Sequence, residues 1–600
     1  MRRKEDYRRW RSLPALFFEQ AGDLADRPFL WARREGAYRP LTWREAEDGV
    51  RTLAAGLRGL GIAPGDRVVL LSENRPEWCL ADLAIMSAGA ITVPAYTTNT
   101  TADHNHILTD SGARGAIVST AALAKRLLPA ALEAPECGWV VGMEPLNRGQ
   151  QATLRTLSWD DALAVGRDRA GEDIAATVEG LKRDDTACFI YTSGTGGTPK
   201  GVMLSHGAIL CNCMGAFDLL SGLGLGDEVF LSFLPLSHAY EHTAGQFFPI
   251  SIGAQIYYAT GVEHLLGNLA EARPTIMTAV PRLYESMYQR ILRGVEKQSP
   301  LKQRLFHTAL RLGRKRYRDP RSLSLWERLV DAVVDRLVRD KMRARFGGRL
   351  KAMVSGGAAL NPEIGIFFTA LGLPVLQGYG QTESAPVVSA NPPGRVKMDS
   401  VGPPLDGVEA RIAEDGEILV RGELVMKGYW RNEEATAEAL RDGWLHTGDI
   451  GEIDADGYIR ITDRKKDILV LSGGDNVSPA RVEGFLTLEP QIYQAMAFGD
   501  KRPHLVAILV PDDDYLADFA KRHGTSRRLE DMRDHPELLR ELSAAVDRVN
   551  ARLAPPEKVR RIAVARQPFT VENHMLTPTL KIRRHKILAA YKGELQSLYK

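Results

Sequence analysis

From Leu41 to beyond residue 250, short apolar runs alternate with amphipathic stretches, and this alternation constrains the fold more than any other feature. Leu41-Thr-Trp-Arg-Glu opens a helix whose spacing carries it to Leu60; Thr42 stands at the N-cap with Glu45 three residues on. Pro64-Gly-Asp-Arg67 is a turn and Val68-Val-Leu-Leu71 a buried strand; residues 76–89 form a helix and Ala90-Ile-Thr-Val-Pro94 a further strand. Such a βαβ succession predicts an α/β fold with largely parallel sheets. At 600 residues the chain exceeds one ordinary core, so two or more domains are expected.

Composition narrows the class. Hydrophobic residues make up 44% and charged residues 26%, as in water-soluble globular proteins. A net charge of +3 gives the whole chain no nucleic-acid signature. Cys79, Cys137, Cys188, Cys211 and Cys213 form no CxxC pair and no zinc pattern, which fits reduced thiols in the cytoplasm. Met-Arg-Arg-Lys-Glu-Asp-Tyr7 lacks the apolar centre of a signal peptide, and no apolar run is long enough to span a bilayer. A soluble or peripherally bound protein is the expectation.

The densest chemical signal is Tyr191-Thr-Ser-Gly-Thr-Gly-Gly-Thr-Pro-Lys200-Gly201. Ala187 to Tyr191 read as a strand feeding this loop. Gly194, Gly196 and Gly197 let backbone N–H groups converge on anionic oxygens. Thr192, Ser193, Thr195 and Thr198 add hydroxyl donors, and Lys200 adds a point charge. The loop suits a triphosphate, yet it is not a Walker A motif, because Pro199 and Gly201 stand where that motif has Gly and Ser/Thr.

Two later segments differ in texture. Residues 302–349 carry fifteen Lys/Arg against five acids, interleaved with apolar residues at helical spacing. This fits either a solvated helical face or a surface touching anionic lipid. From about Gly451 short strands and turns take over, followed by strands at 495–498 and 505–510 and helices near 515–550. The expected boundary divides residues 1–465 from a small α+β domain, residues 466–600.

Further motifs follow in order: Leu234-Pro-Leu-Ser-His238, Gly356-Gly-Ala358, Gly378-Tyr-Gly-Gln-Thr-Glu383, Asp442-Gly-Trp-Leu-His-Thr-Gly-Asp449, Asp463-Arg-Lys-Lys-Asp467 and Thr577-Pro-Thr-Leu-Lys581. With the glycine loop, this series resembles the AMP-forming acyl-adenylating superfamily over residues 15–590. Within it the segment from Asp442 to Asp467 is most similar to long-chain fatty acyl-CoA synthetases.

The resemblance implies a large N-terminal domain of mixed and parallel sheets flanked by helices, with a small mobile C-terminal domain. It implies that ATP, Mg²⁺ and a carboxylic acid meet to form an acyl-adenylate, which coenzyme A then attacks. Residues 192–198, Lys200, Gly357, Ala358, Gly378, Tyr379, Gly380 and Thr382 would surround the nucleotide, with Tyr379 against adenine. Glu383 and Thr192 would bind the metal, a hard cation that takes oxygen ligands. Asp449 would accept the ribose hydroxyls beside Arg464, and Lys581 would reach the α-phosphate. Lys466 is the implied hinge, Gly473 and Gly474 would line the thiol's approach, and His238 and Tyr240 would sit on the acyl side.

This chain departs from the family pattern at Gly196, often Thr, at Leu580, usually Gly, and at Asp475, often Lys or Glu. Phe247-Phe-Pro-Ile-Ser-Ile252 and Ile256-Tyr-Tyr258 fit either an acyl tunnel wall or ordinary core. Three functions stay open: a long-chain acyl-CoA ligase, an adenylating enzyme for another acid or a carrier-protein acceptor, and a non-catalytic binding homologue. A homodimer is neither required nor excluded.

Overall fold

A computed structural model describes residues 3–146, 154–169, 171–192, 198–465, 467–577 and 582–600. Two largely parallel eight-stranded sheets, one with a single antiparallel edge and the other with two, form the larger part. In one, the strands Thr186–Thr192, Ile91–Ala95, Arg67–Leu71, Gly115–Val118, Trp139–Gly142 and Arg155–Ser158 run parallel in that spatial order. Lys200–Ser205 and then Gly428–Tyr429 extend it antiparallel at one edge. The reversal at Lys200 follows from chain length: only seven residues separate Thr192 from Lys200, enough for a hairpin but not for a crossover.

The second sheet places Val375–Gly380, Ala352–Ser355, Ile276–Ala279, Val229–Ser232, Gln255–Tyr258 and Pro28–Arg34 in parallel. Val387–Ala390 and Ala37–Thr42 close its two edges antiparallel. Helices cover these sheets, so central strands such as Val68 to Leu71 are buried on both faces and read as unbroken apolar runs.

Local signals hold where the sequence placed them. The helix Trp43–Gly59 begins at Thr42, whose Oγ1 accepts from the Glu45 amide at 3.2 Å, while Glu45 Oε2 accepts from the Thr42 amide at 2.8 Å. Such a cap contributes about 1 kcal/mol. Trp43 then stacks on Phe29 with ring centres 3.7 Å apart inside the main core. Phe247, Phe248 and Ile250 are also buried in that core.

The change of texture near Gly451 has another cause than a boundary. The strand Trp444–Ile453 runs through it, within a five-stranded antiparallel sheet that also holds Glu417–Arg421 and Ile459–Arg464. Beyond it, Ile492–Phe498, Leu505–Pro511 and Val559–Val564 form a three-stranded sheet that buries its own apolar clusters on either face. This smaller α+β unit meets the larger one at the helix Pro281–Glu296. There Arg282 donates to the Tyr493 carbonyl at 2.8 Å, and Arg293 pairs with Asp512 at 3.0 Å. All five cysteines are buried and unbridged.

Candidate nucleotide site

Thr192 and Lys200 face each other across the hairpin that carries the glycine loop. Ser193, Gly194, Thr195, Gly196 and Gly197 lie outside the described residues. Gly201 keeps its place uncrowded, since a Cβ there would come 3.1 Å from the Tyr191 ring, a tight contact that the ring would have to relieve. The Tyr191 hydroxyl donates to Asp110 at 2.6 Å, and burial with that carboxylate pushes the phenol well above its usual range. His106 Nε2 donates to the Pro199 carbonyl at 2.8 Å. An open cavity of ≈ 330 Å³ adjoins this end of the loop, lined by Thr198, Lys200, His106 and Arg431 among others.

Lys200 connects the loop to a second motif. Its Nζ lies 5.0 Å from the centre of the Tyr429 ring, and the Tyr429 hydroxyl donates to Glu383 Oε1 at 2.8 Å. Burial, then the Glu383 charge, raises the Tyr429 phenol far above its ordinary value. Thr192, Lys200, Tyr429 and Glu383 thus form a contiguous series across one sheet edge. Glu383 lies in the short 3₁₀ turn Thr382–Ser384, directly after the strand Val375–Gly380 that carries Gly378, Tyr379 and Gly380. Here Gly380 permits a close approach: a Cβ would meet the Pro386 carbonyl oxygen at 1.8 Å.

Among the described residues, no group of three or more His, Cys, Asp or Glu could cage a metal. A single half-buried carboxylate such as Glu383 instead fits Mg²⁺, which commonly takes one or two carboxylates and completes its shell with phosphates and water.

Tyr379, Asp449 and Arg464 converge. The Tyr379 hydroxyl donates to Asp449 Oδ2 at 2.7 Å, and Arg464 Nε donates to Oδ1 at 3.1 Å. Asp449 faces Arg464 in the ladder between Trp444–Ile453 and Ile459–Arg464. At 4% exposure Asp449 is no solvated surface partner. Burial, followed by the Asp449 charge, holds the Tyr379 phenol well above its ordinary value. Next to Arg464, burial pushes the Asp463 carboxyl up to about 6.

Gly357 and Ala358 follow the strand Ala352–Ser355, with Gly357 at φ +83. Tyr240 covers this turn: its ring would lie 2.9 Å from a Cβ on Gly356, and its hydroxyl donates to the Val354 carbonyl at 2.9 Å. His238 Nδ1 accepts the Tyr240 amide at 3.1 Å, so the two residues expected on the acyl side are coupled. Gly473 and Gly474 form an exposed turn between Leu469–Val470 and Asn476–Val477, with Gly474 at φ +89. Lys466 and Lys581 lie outside the described residues. Near Lys581, Leu576 bridges to Ile582, and Arg584 clamps both oxygens of Glu483 at 2.8 and 3.1 Å.

Several groups escaped the sequence reading. Tyr429 carried only the weak signal of an aromatic after glycine. Asp82 and His242, both fully buried, pair at 2.8 Å although 160 positions separate them; the signal was an acid within the apolar helix Pro76–Ser87. Glu241 opens the π-helix Glu241–Phe247 and is fully buried. Its oxygens accept from Ser232 and Thr278 at 2.7 Å each, and burial raises its carboxyl to about 7.

Comparison with known proteins agrees with this architecture. Residues 17–430 match the AMP-binding enzyme family, and residues 466–600 match the AMP-binding enzyme C-terminal domain. The chain is 34% identical over 598 residues to the long-chain-fatty-acid–CoA ligase FadD15 of Mycobacterium bovis, covering 98% of this chain and 97% of that protein. It is 32% identical to the peroxisomal long chain acyl-CoA synthetase 6 of Arabidopsis thaliana, covering 94% and 82%. Among solved structures, the adenylation domain of the carboxylate reductase of Mycobacterium chelonae superposes with a TM-score of 0.75 at 23% identity, over 98% of this chain and 91% of that one. The anthranilate CoA ligase AuaEII, in complex with anthranoyl-AMP, gives 0.74 at 21%, over 98% and 99%. With one family match spanning most of its length and relatives aligned nearly end to end, this chain belongs to the AMP-binding enzyme family.

Proposed function

We propose that the protein activates a long-chain fatty acid with ATP and transfers the acyl group to coenzyme A. The observation that carries this reading is the end-to-end similarity to FadD15, a long-chain-fatty-acid–CoA ligase by name. The convergence of Tyr379, Asp449 and Arg464, together with the series Lys200, Tyr429 and Glu383, supports it.

In the first half-reaction a carboxylate oxygen attacks the α-phosphorus, and the bond to the bridging oxygen breaks to release pyrophosphate. In the second, the coenzyme A sulfur attacks the acyl carbonyl, its proton passes to solvent, and AMP leaves. The first step brings anions together, so cations and fixed donors matter more than a strong base. Asp449 would hold the ribose hydroxyls with Arg464 beside them. Tyr379 would present its ring to adenine while its hydroxyl keeps Asp449 oriented. Lys200 and the loop hydroxyls would hold the phosphates, and Thr192 and Glu383 would hold Mg²⁺ there. When bound, Mg²⁺ would neutralise phosphate charge.

Residues 1–465 would carry the ATP and acyl sites, and residues 466–600 would rotate about Lys466 between the half-reactions. Lys581 would serve only the first. Lys581→Ala is therefore expected to abolish adenylate formation yet spare thioester formation from supplied acyl-adenylate; equal loss of both would refute its role. An apolar acyl site would gain about 0.8 kcal/mol per buried methylene, which favours long chains.

The deciding experiment follows pyrophosphate release and product mass with ATP, Mg²⁺ and acids from acetate to oleate plus benzoate, each with and without coenzyme A. The expected result is coenzyme A-dependent palmitoyl- or oleoyl-CoA with little benzoyl product. Turnover confined to benzoate or short acids would overturn the substrate, and acyl-AMP that never becomes a thioester would overturn the acceptor.

A further inference from the structure

Residues 302–349 hold fifteen Lys/Arg and five acids, a net +10 in a chain of net +3, so the remainder carries −7. The structure shows how that charge is arranged. The helix Leu325–Val334 continues through Asp335–Arg339 into Asp340–Arg345, one helical run roughly 30 Å long. One face is anchored: Val330, Val334 and Val338 pack on Ala309, Leu312 and Leu323. Another face is not covered. Leu325, Trp326, Leu329, Val333 and Leu337 project from it at helical spacing, between 46% and 80% exposed. Soluble proteins seldom leave such a contiguous stripe of large apolar side chains in water.

The preceding helix, Pro300–Arg318, supplies the complement. An open groove of ≈ 630 Å³ runs along it, lined by His307, Arg311, Arg314, Lys315 and Arg318 among others. Lys315 and Arg311 reach Glu327 at 2.7 and 3.5 Å, which ties the groove-bearing helix to the first turn of the stripe-bearing one. The acids are largely consumed internally. Asp331 pairs with Arg316 and the buried Arg339, while Asp335 and Asp340 pair with Arg343. Arg318, Arg321, Arg328 and Arg336 are exposed, and their guanidinium groups form no ion pair among the described residues, although Arg328 donates to the Leu323 carbonyl at 3.2 Å.

We propose that this two-helix unit docks the protein on an anionic lipid bilayer: the stripe from Leu325 to Leu337 enters the interface while the adjoining arginines and lysines hold lipid phosphates. Charge complementarity selects this occupant. An apolar stripe bordered by unpaired cations matches an interface that is apolar below and anionic above, and tryptophan favours that depth. Long basic side chains can reach the phosphates while their stems lie over the acyl boundary. If the proposed substrate is right, the same bilayer holds the acid in reach; the docking itself does not depend on that reading.

The test is co-sedimentation of the full-length protein with phosphatidylcholine vesicles, with and without phosphatidylglycerol, across a salt series. Binding is expected only with the anionic lipid, weakening as salt rises. The double variant Trp326→Ser, Leu329→Ser should lose at least about tenfold in partitioning. Arg318→Gln and Arg336→Gln should lose about fivefold each, the equivalent of about 1 kcal/mol per charge. Thermal unfolding checks that these surface variants remain folded. Binding to neither vesicle, equal binding to both, or undiminished binding of the double serine variant overturns the proposal. So does a double variant that dissociates an oligomer while its vesicle binding holds, because the stripe would then join two copies. Pyrophosphate release measured alongside separates the two readings: a protein inactive on every acid yet bound to anionic vesicles refutes the proposed function and leaves the docking intact.

Discussion

Asp449 commits both carboxylate oxygens to protein donors, Tyr379 on one side and Arg464 on the other. Ribose hydroxyls would have to join or replace these bonds. Asp449→Ala should therefore raise KM for ATP at least about tenfold, since it removes the acceptor and leaves a cation unpaired. Tyr379→Phe, which removes one neutral donor, should raise it about threefold. Pyrophosphate release at varied ATP measures both, and an unchanged KM in Asp449→Ala would reduce the cluster to a structural contact.

Glu241 sets a pH prediction at the same scale. Its carboxyl stands near 7 in the fold against 4.5 unperturbed, because burial disfavours the charge more than the Thr278 and Ser232 hydroxyls favour it. Between those values the folded protein keeps a proton that the unfolded chain has released. Stability from this group is thus fully present below about pH 4.5 and is lost as pH rises through about 7. Relative to Glu241→Gln, the wild-type stability should fall across that window by on the order of 3 kcal/mol, read as a falling Tm. Parallel Tm profiles for the two proteins would contradict this.

At the scale of elements, two glycines decide how closely helices pack. A Cβ on Gly166 would lie 1.9 Å from the Thr52 carbonyl oxygen, and one on Gly56 would lie 2.3 Å from that of Ala162. The helices Trp43–Gly59 and Trp159–Arg167 thus meet backbone to backbone, with no flexible side chain to yield. Gly166→Ala must separate them, and a loss of about 1–3 kcal/mol is expected in thermal or urea unfolding. No periodicity announced this contact, since the partners are distant in sequence. The capping box at Thr42 was legible because it is complete within four residues. The antiparallel sheet around Trp444–Ile453 was not, because its strands pair across turns and insertions that break any simple alternation.

At the scale of the molecule, the C-terminal unit has its own apolar clusters and meets the larger part through polar ties. Arg282 lies 4.0 Å over the Tyr493 ring and also donates to its carbonyl, and Arg293 reaches Asp512. Replacing both arginines with alanine should loosen this arrangement without unfolding either core. Small-angle scattering should then show a larger radius of gyration at nearly unchanged Tm. An unchanged profile would mean that the ties contribute nothing to the relative placement of the two parts.

The sequence by itself determined the α/β class, the helix caps, the strand leading into the glycine loop and the order of the motifs, because each of these is written in neighbouring residues. Only the tertiary structure decided that Tyr379, Asp449 and Arg464 share one buried cluster, that Tyr429 links Lys200 to Glu383, and that Asp82 meets His242. It also decided which face of the basic helices is left uncovered. Those contacts join residues tens to hundreds of positions apart. Which polar groups meet there depends on sheet order and packing, and no local pattern encodes either.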